Sequence, residues 1–221
     1  MMIYYPLLRE PIEFTENTVN VLIIENPRAF REAVRMLMLQ SSGESGDYIL
    51  SEDFVPIEIS KHAEVITDIF EINFDSKKIT TKLNQLICEQ SRDYYDEVQN
   101  VISEINKLGS ELALNFESYI TFDVVEDVSG VIKLLNFSID KENMDLPEQI
   151  LEYIRICRNF FKKRLFIFIN LKSCLTPQEL ELLYKSILYE KFDVLLIESF
   201  QKSEPLQYEQ TKIIDIDLCE I

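Results

Sequence analysis

The 221-residue chain is 47% hydrophobic and 11% aromatic, enough for one large domain or two small ones with a true core, and disorder is excluded as its default state. Its 39 acidic residues against 22 basic ones give a formal charge of −17. A uniform surface of that sign repels phosphate, so any nucleic-acid contact requires a local basic face.

The opening MMIYYPLLRE lacks a basic start followed by a long apolar stretch, and no apolar run reaches the roughly 20 residues of a membrane span. The chain therefore reads as cytoplasmic, with no membrane partner. A short strand is expected at Ile12–Phe14 and a central one at Val19–Ile24. Pro27 then opens a helix running to about Gln40, and the SSGESGD stretch ends it. Another short strand is expected at Val65–Ile66.

From Ser76 to Leu108 there is neither Pro nor Gly, and Ile87, Tyr94, Val98, Val101, Ile105 and Leu108 follow a spacing of 7, 4, 3, 4 and 3. This predicts one long helix with a coiled-coil-like seam, about 50 Å at 1.5 Å per residue, stopped by Gly109. A return of one or two helices over residues 110–135 would cover that seam.

Downstream, short strands are expected at Phe137–Ile139 and Lys212–Ile216, with a helix from Pro147 to Phe161. The runs Leu165–Asn170 and Asp193–Ile197, like Val19–Ile24, are almost continuously apolar, as in strands buried on both faces of a parallel sheet. Between them Thr176-Pro177-Gln178-Glu179 forms a capping box that starts a helix to about Tyr189. The expected class is α/β: a discontinuous head with a mainly parallel sheet, residues 1–70 and 137–221, interrupted by a helical leg at residues 71–136.

A parallel sheet invites a search for nucleotide chemistry. The turn after the first central strand reads Glu25-Asn26-Pro27-Arg28, and neither GxxxxGK[ST] nor GxGxxG occurs in the chain. The strand Leu165–Asn170 ends in Asn170, not in an acid able to hold Mg²⁺, so if the scaffold descends from a nucleotide-binding one, its site reads as dead. His62 is the sole histidine, and no neighbouring nucleophile marks it as part of a triad, so no catalytic residue is assigned. Cys88, Cys157, Cys174 and Cys219 are widely spaced and read as reduced thiols.

The basic residues carry more information. Arg28, Arg31 and Arg35 fall at i, i+3 and i+7, within roughly a 60° arc of one helix, opposite Phe30, Ala33, Val34 and Leu37. Arg155, Arg158 and Lys162 repeat the spacing on a later helix, followed by Lys163 and Arg164. Arginine forks suit phosphate contacts, and both stripes are candidate DNA-binding surfaces; the competing reading is ion pairing with the chain's own acids. Two acidic clusters are candidates for a hard cation: Glu117, Asp123, Glu126 and Asp127 in the leg, and Asp140, Glu142, Asn143 and Asp145 after it. Neither has the spacing or mid-loop Gly of an EF-hand, and a solvated acidic surface is the competing reading.

Several of these stretches together resemble a known family. Lys162-Lys163-Arg164 precede LFIFIN, Leu175-Thr176 and Glu179 open a helix, DVLLIE ends in Glu198, and LLREPIEF is followed by NVLIIEN. In these stretches and in the order of its elements the chain is similar to the ring-forming, double-stranded-DNA-end-binding proteins of type II-A CRISPR systems, which take part in spacer acquisition. The resemblance implies an α/β head related to degenerate nucleotide-hydrolase folds, a helical leg, and a homotetrameric ring steadied by calcium ions. It also implies lysines and arginines facing a central hole that takes duplex DNA, no enzymatic activity, and action beside the integrase complex and RNA-guided nuclease of the same system. Placing Arg28, Arg31 and Arg35 on that surface rests on their helical geometry, and assigning Ca²⁺ to Glu117, Asp123, Glu126 and Asp127 rests on their position in the leg. A diverged metal-dependent nucleotide hydrolase or nuclease, and a protein-only adaptor, remain open alternatives.

Overall fold

A computed structural model of the protein describes residues 1–202 and 204–221. The chain divides into two compact units, Met1–Ile72 with Lys141–Ile221, and Asn73–Asp140.

In the first unit, the three apolar runs form the middle of a five-stranded parallel sheet. Strands β3 (Val19–Ile24), β6 (Ala63–Ile66), β7 (Leu165–Ile169), β8 (Asp193–Glu198) and β9 (Glu209–Ile214) lie in the order β6-β7-β8-β3-β9. All six side chains of β3 are buried, as are five of six in β8. Alternate residues point to opposite faces, so such a sheet must be covered on both sides. On one face α6 (Leu146–Phe161) and α7 (Pro177–Tyr189) pack Ile150, Ile154, Leu183 and Ile187 onto Val21, Phe166, Phe168 and Leu196. On the other, α1 (Pro27–Ser41) packs Ala33 and Leu37 with Leu22, Ile24, Ile167 and Ile197. Burying each large apolar side chain contributes about 1.5–3 kcal/mol.

Local signals set the helix ends. Asp145 and Glu148 make a capping box at α6, and Thr176 with Glu179 makes one at α7, where Glu179 N donates to Thr176 Oγ1 at 3.3 Å and Thr176 N to Glu179 Oε2 at 2.7 Å. A second, antiparallel sheet of four short strands has the order β2-β1-β4-β5 and joins the α1 face. Its members are β1 (Met2–Tyr4), β2 (Ile12–Glu13), β4 (Ile49–Glu52) and β5 (Val55–Ile57), and the short helix α2 (Ile59–His62) follows it. Three of these strands, β1, β4 and β5, escape sequence reading because three or four residues are too few to show a period of two. The strand expected at Phe137–Ile139 does not form, because Asn136 turns left-handed (φ 49°) at the end of a helix and the next residues find no strand to pair with.

The second unit corrects the expected single long helix. α3 (Lys77–Gln90) is followed by a 3-10 turn, Ser91–Tyr94, and then α4 (Tyr95–Leu114). The break lies where the apolar spacing widens to seven: Ser91 occupies the seam position between Ile87 and Tyr94, and its hydroxyl donates to the Cys88 carbonyl at 2.8 Å. Gly109 does not stop the helix: α4 runs through it, and the glycine instead makes room for Phe122, since a Cβ on Gly109 would sit 2.7 Å from the ring.

The buried side of α4 matches the predicted seam only in part, at the half-buried Val98 and Ile105. Ile102 is buried, whereas Val101 and Leu108 are exposed. An extended segment, residues 115–127, returns along α4, and Asn106 pairs with the Val125 backbone in both directions, each bond 2.9 Å. α5 (Val128–Leu135) then buries Ile132. Replacing Asn106 by Ala removes both bonds, each worth about 1 kcal/mol net. Limited proteolysis within residues 115–127 should accelerate roughly tenfold while the first unit stays resistant; an unchanged cleavage rate would show that apolar packing alone holds the segment.

Candidate nucleic-acid interface

α1 begins at the carboxyl end of β3, where a phosphate would sit if this sheet bound a nucleotide. That terminus is already closed. Asn26 caps it, its Oδ1 accepting from Arg28 N at 3.0 Å and Ala29 N at 3.2 Å, while its Nδ2 donates to the Ile216 carbonyl at 2.8 Å. Pro27 supplies no N–H at all. The donors that a phosphate would use are absent or engaged.

Arg28, Arg31 and Arg35 are all exposed along α1, opposite buried Ala33 and Leu37. Arg35 is committed to Glu32 through two bonds, Nε at 3.0 Å and Nη2 at 2.5 Å, which hold the Glu32 carboxyl below the usual range. Arg28 and Arg31 have no salt bridge among the described residues. Two guanidinium groups of the three are thus open to solvent.

The second stripe belongs to the opposite face of the sheet. Arg155 is enclosed by Glu190 and Glu152, with Nε bonds of 3.0 and 3.1 Å to the Glu190 carboxylate, a further short Nη2 contact to it, and 3.0 Å to Glu152. These carboxylates raise its pKa. Arg158 donates to the Glu190 carbonyl at 2.9 Å and lies 5.0 Å over the Phe192 ring. Both arginines therefore tie α6 to the end of α7. Lys162 is exposed at the left-handed cap of α6 (φ 59°). The run that follows divides: Lys163 is buried, its ammonium donating to the Ser60 and Ala63 carbonyls at 2.6 and 2.7 Å, and Arg164 pairs with Glu52. The two stripes cannot line one continuous surface of this unit.

The four leg carboxylates do not make a calcium site within one chain. Glu117, Asp123 and Glu126 are exposed along the extended segment, and Asp127 is the N-cap of α5, accepting from Ser129 N at 2.9 Å. Among the described residues no group of three or more His, Cys, Asp or Glu converges on a point. A calcium ion wants six to eight oxygens, so these residues do not fit it in this arrangement. Asp145 of the second acidic cluster is likewise used as a cap.

Sequence reading missed a buried ionic cluster on the α6/α7 face. Lys172 and Glu198 are 4% and 2% exposed. The Lys172 ammonium meets Glu209 at 2.9 Å; Glu209 also accepts from Tyr184 OH at 2.8 Å and Leu206 N at 3.1 Å. Glu198 accepts from Lys172 N at 3.0 Å, yet burial pushes its pKa up to about 7. The only signal in the sequence was a charged residue at the end of an otherwise apolar run, DVLLIE.

The architecture defines a class: a three-layered α/β unit with a helical insertion and a first helix whose terminus is closed to phosphate. The family model for CRISPR-associated protein (Cas_Csn2) matches residues 40–218. The chain is 28% identical over 215 residues to CRISPR-associated protein Csn2 of Enterococcus faecalis, covering 94% of each chain. It belongs to the Csn2 family of CRISPR-associated proteins, the type II-A family that its sequence resembles. Among solved structures it is similar, at a TM-score of 0.38 and 12% identity, to a putative ABC transporter (ATP-binding protein) from Pyrococcus furiosus, over 95% of this chain and 93% of that one. Among the described residues no helix is long and apolar enough to cross a membrane.

The Glu198 pKa of about 7, against an ordinary 4.5, sets a pH test. With the folded value raised, this group favours the fold below pH 4.5 and loses that contribution as pH climbs through 7. Glu198→Gln should therefore stabilise the protein more at pH 8 than at pH 5, by roughly 2 kcal/mol in urea unfolding. An equal effect at both values would mean that Glu198 does not titrate there.

Proposed function

We propose that this chain grips duplex DNA without sequence preference during spacer acquisition, as a non-catalytic clamp, and that the exposed face of α1 makes the phosphate contacts. The observation that carries this reading is the pair Arg28 and Arg31: two solvent-facing guanidinium groups with no salt bridge among the described residues, on a chain of formal charge −17. Arg35 joins them once Glu32 yields, and Lys162 adds a separate exposed charge. Arg155 is set aside from the DNA surface, because Glu190 and Glu152 engage it, whereas Arg158 is exposed, gives one donor to the Glu190 carbonyl and stays with Lys162 as a second candidate contact. The capped terminus of α1 weighs against the nucleotide-hydrolase alternative.

The reading includes a homotetrameric ring, which would pool the basic groups of four chains, since one chain offers too few open cations to hold a duplex against its own negative field. The DNA would then be threaded from an end, beside the integrase complex and the RNA-guided nuclease of the same system. Calcium enters only as an ion shared between subunits, because the described residues of one chain bring no group of three or more acidic, His or Cys ligands together. Sedimentation should give a tetramer with calcium and a lighter species after chelation. A mass indifferent to chelator removes calcium from the account, and a monomer throughout removes the ring.

Reversing charge at both Arg28 and Arg31 to Glu should weaken gel-shift binding by about tenfold or more, with the circular dichroism spectrum unchanged. Arg155→Ala should leave DNA affinity within about twofold while lowering thermal stability, because it strands Glu190 and Glu152. The reverse pattern would reject the assignment of α1.

A further inference from the structure

Open parallel sheets take ligands outside the carboxyl ends of their strands, where the connecting segments splay apart. Two such segments converge on the α6/α7 face: the connection from β7 through the 3-10 turn Leu171–Ser173 to the start of α7, and, after β8, the residues Lys202 and Leu206. They enclose a cavity of about 210 Å³ lined by Lys172, Leu175, Pro177, Leu180, Lys202 and Leu206. Four of the six are apolar, and both of the others are lysine.

The two lysines stand in different electrostatic states. Lys172 is buried and neutralised by Glu209, whose carboxylate is further satisfied by Tyr184 and Leu206 N. Lys202 is exposed; its Nζ donates to the Lys172 carbonyl at 2.8 Å, and it has no salt bridge among the described residues. The other carboxyl of this cluster, Glu198, accepts from Lys172 N and is 2% exposed. The cavity thus has an apolar wall, an internally compensated floor and one ammonium with spare hydrogen-bond donors. Its volume falls below the roughly 300–1,000 Å³ of sites for drug-sized ligands, which limits the occupant to a short molecule.

From this arrangement we infer that the cavity is a binding site for a small organic acid with a short apolar body. The carboxylate meets the Lys202 ammonium, and the hydrocarbon covers Leu175, Pro177, Leu180 and Leu206. Unpaired anions and apolar groups of the wrong length are disfavoured together, because each satisfies only half of the lining. The site lies on the sheet face opposite α1, so it stands or falls independently of the DNA reading.

The test titrates the full chain with hexanoate, hexanol and inorganic phosphate, following leucine methyl resonances by NMR. Hexanoate should shift the Leu175, Leu180 and Leu206 methyls in a saturable manner, with hexanol and phosphate each about tenfold weaker or worse. Lys202→Gln, at an exposed position, should weaken hexanoate about tenfold and leave hexanol unchanged. Leu206→Trp, which fills the cavity from its partly exposed side, should abolish both. No saturable shift with hexanoate, or shifts confined to other leucines, would overturn the site. Equal binding of hexanol would overturn the role of Lys202, and equal binding of phosphate that of the apolar wall.

Discussion

Burial of both faces of the five-stranded sheet is the constraint from which the rest of this molecule follows. Phe166, Phe168 and Leu196 point one way, and Leu22, Ile167 and Ile197 the other, so water must be excluded on both sides at once. α1 covers one face, and α6 with α7 covers the other. The basic residues on these helices are separated as a result: those of α1 stand on one outer surface, and those of α6 on the opposite one. A reading that treats equal spacing as equal function cannot survive this geometry.

Acidic residues then decide what each basic group can do. Glu190 takes Arg155, Glu52 takes Arg164, Glu32 takes Arg35, and Glu209 takes Lys172. Asp127 and Asp145 cap the starts of helices. Part of the acid that looked like a cation site or a repulsive surface is therefore structural. Exposed pairs of this kind add little stability each, but they fix guanidinium direction and remove donors from any external phosphate. Arg28 and Arg31 remain as the open positive charges of the α1 stripe.

The head was legible where the sequence repeats one kind of environment. Val19–Ile24, Leu165–Asn170 and Asp193–Ile197 read as buried parallel strands because every position is apolar, and the Thr176–Glu179 box marked its helix through chemistry confined to four residues. The leg was less legible. Its period was real, but Ser91 interrupts the seam with a local hydrogen bond, and Gly109 accommodates a ring from a residue thirteen positions later. At the candidate site the stripe on α1 was visible, whereas the fate of Arg155 was not, since Glu190 lies 35 residues away and meets it only through the packing of α6 on α7. The Lys172–Glu209 pair was hidden for the same reason.

The central proposal is electrostatic: an acidic protein would hold DNA through a few exposed guanidinium groups that make no salt bridge among the described residues. The slope of log affinity against log salt measures how many phosphates are neutralised, at about 0.9 per contact on duplex DNA. With Arg28 and Arg31 contributed by each of four chains, the account predicts a slope of about −7, equal for unrelated sequences of one length. A slope near zero, or one that changes with base sequence, would contradict it.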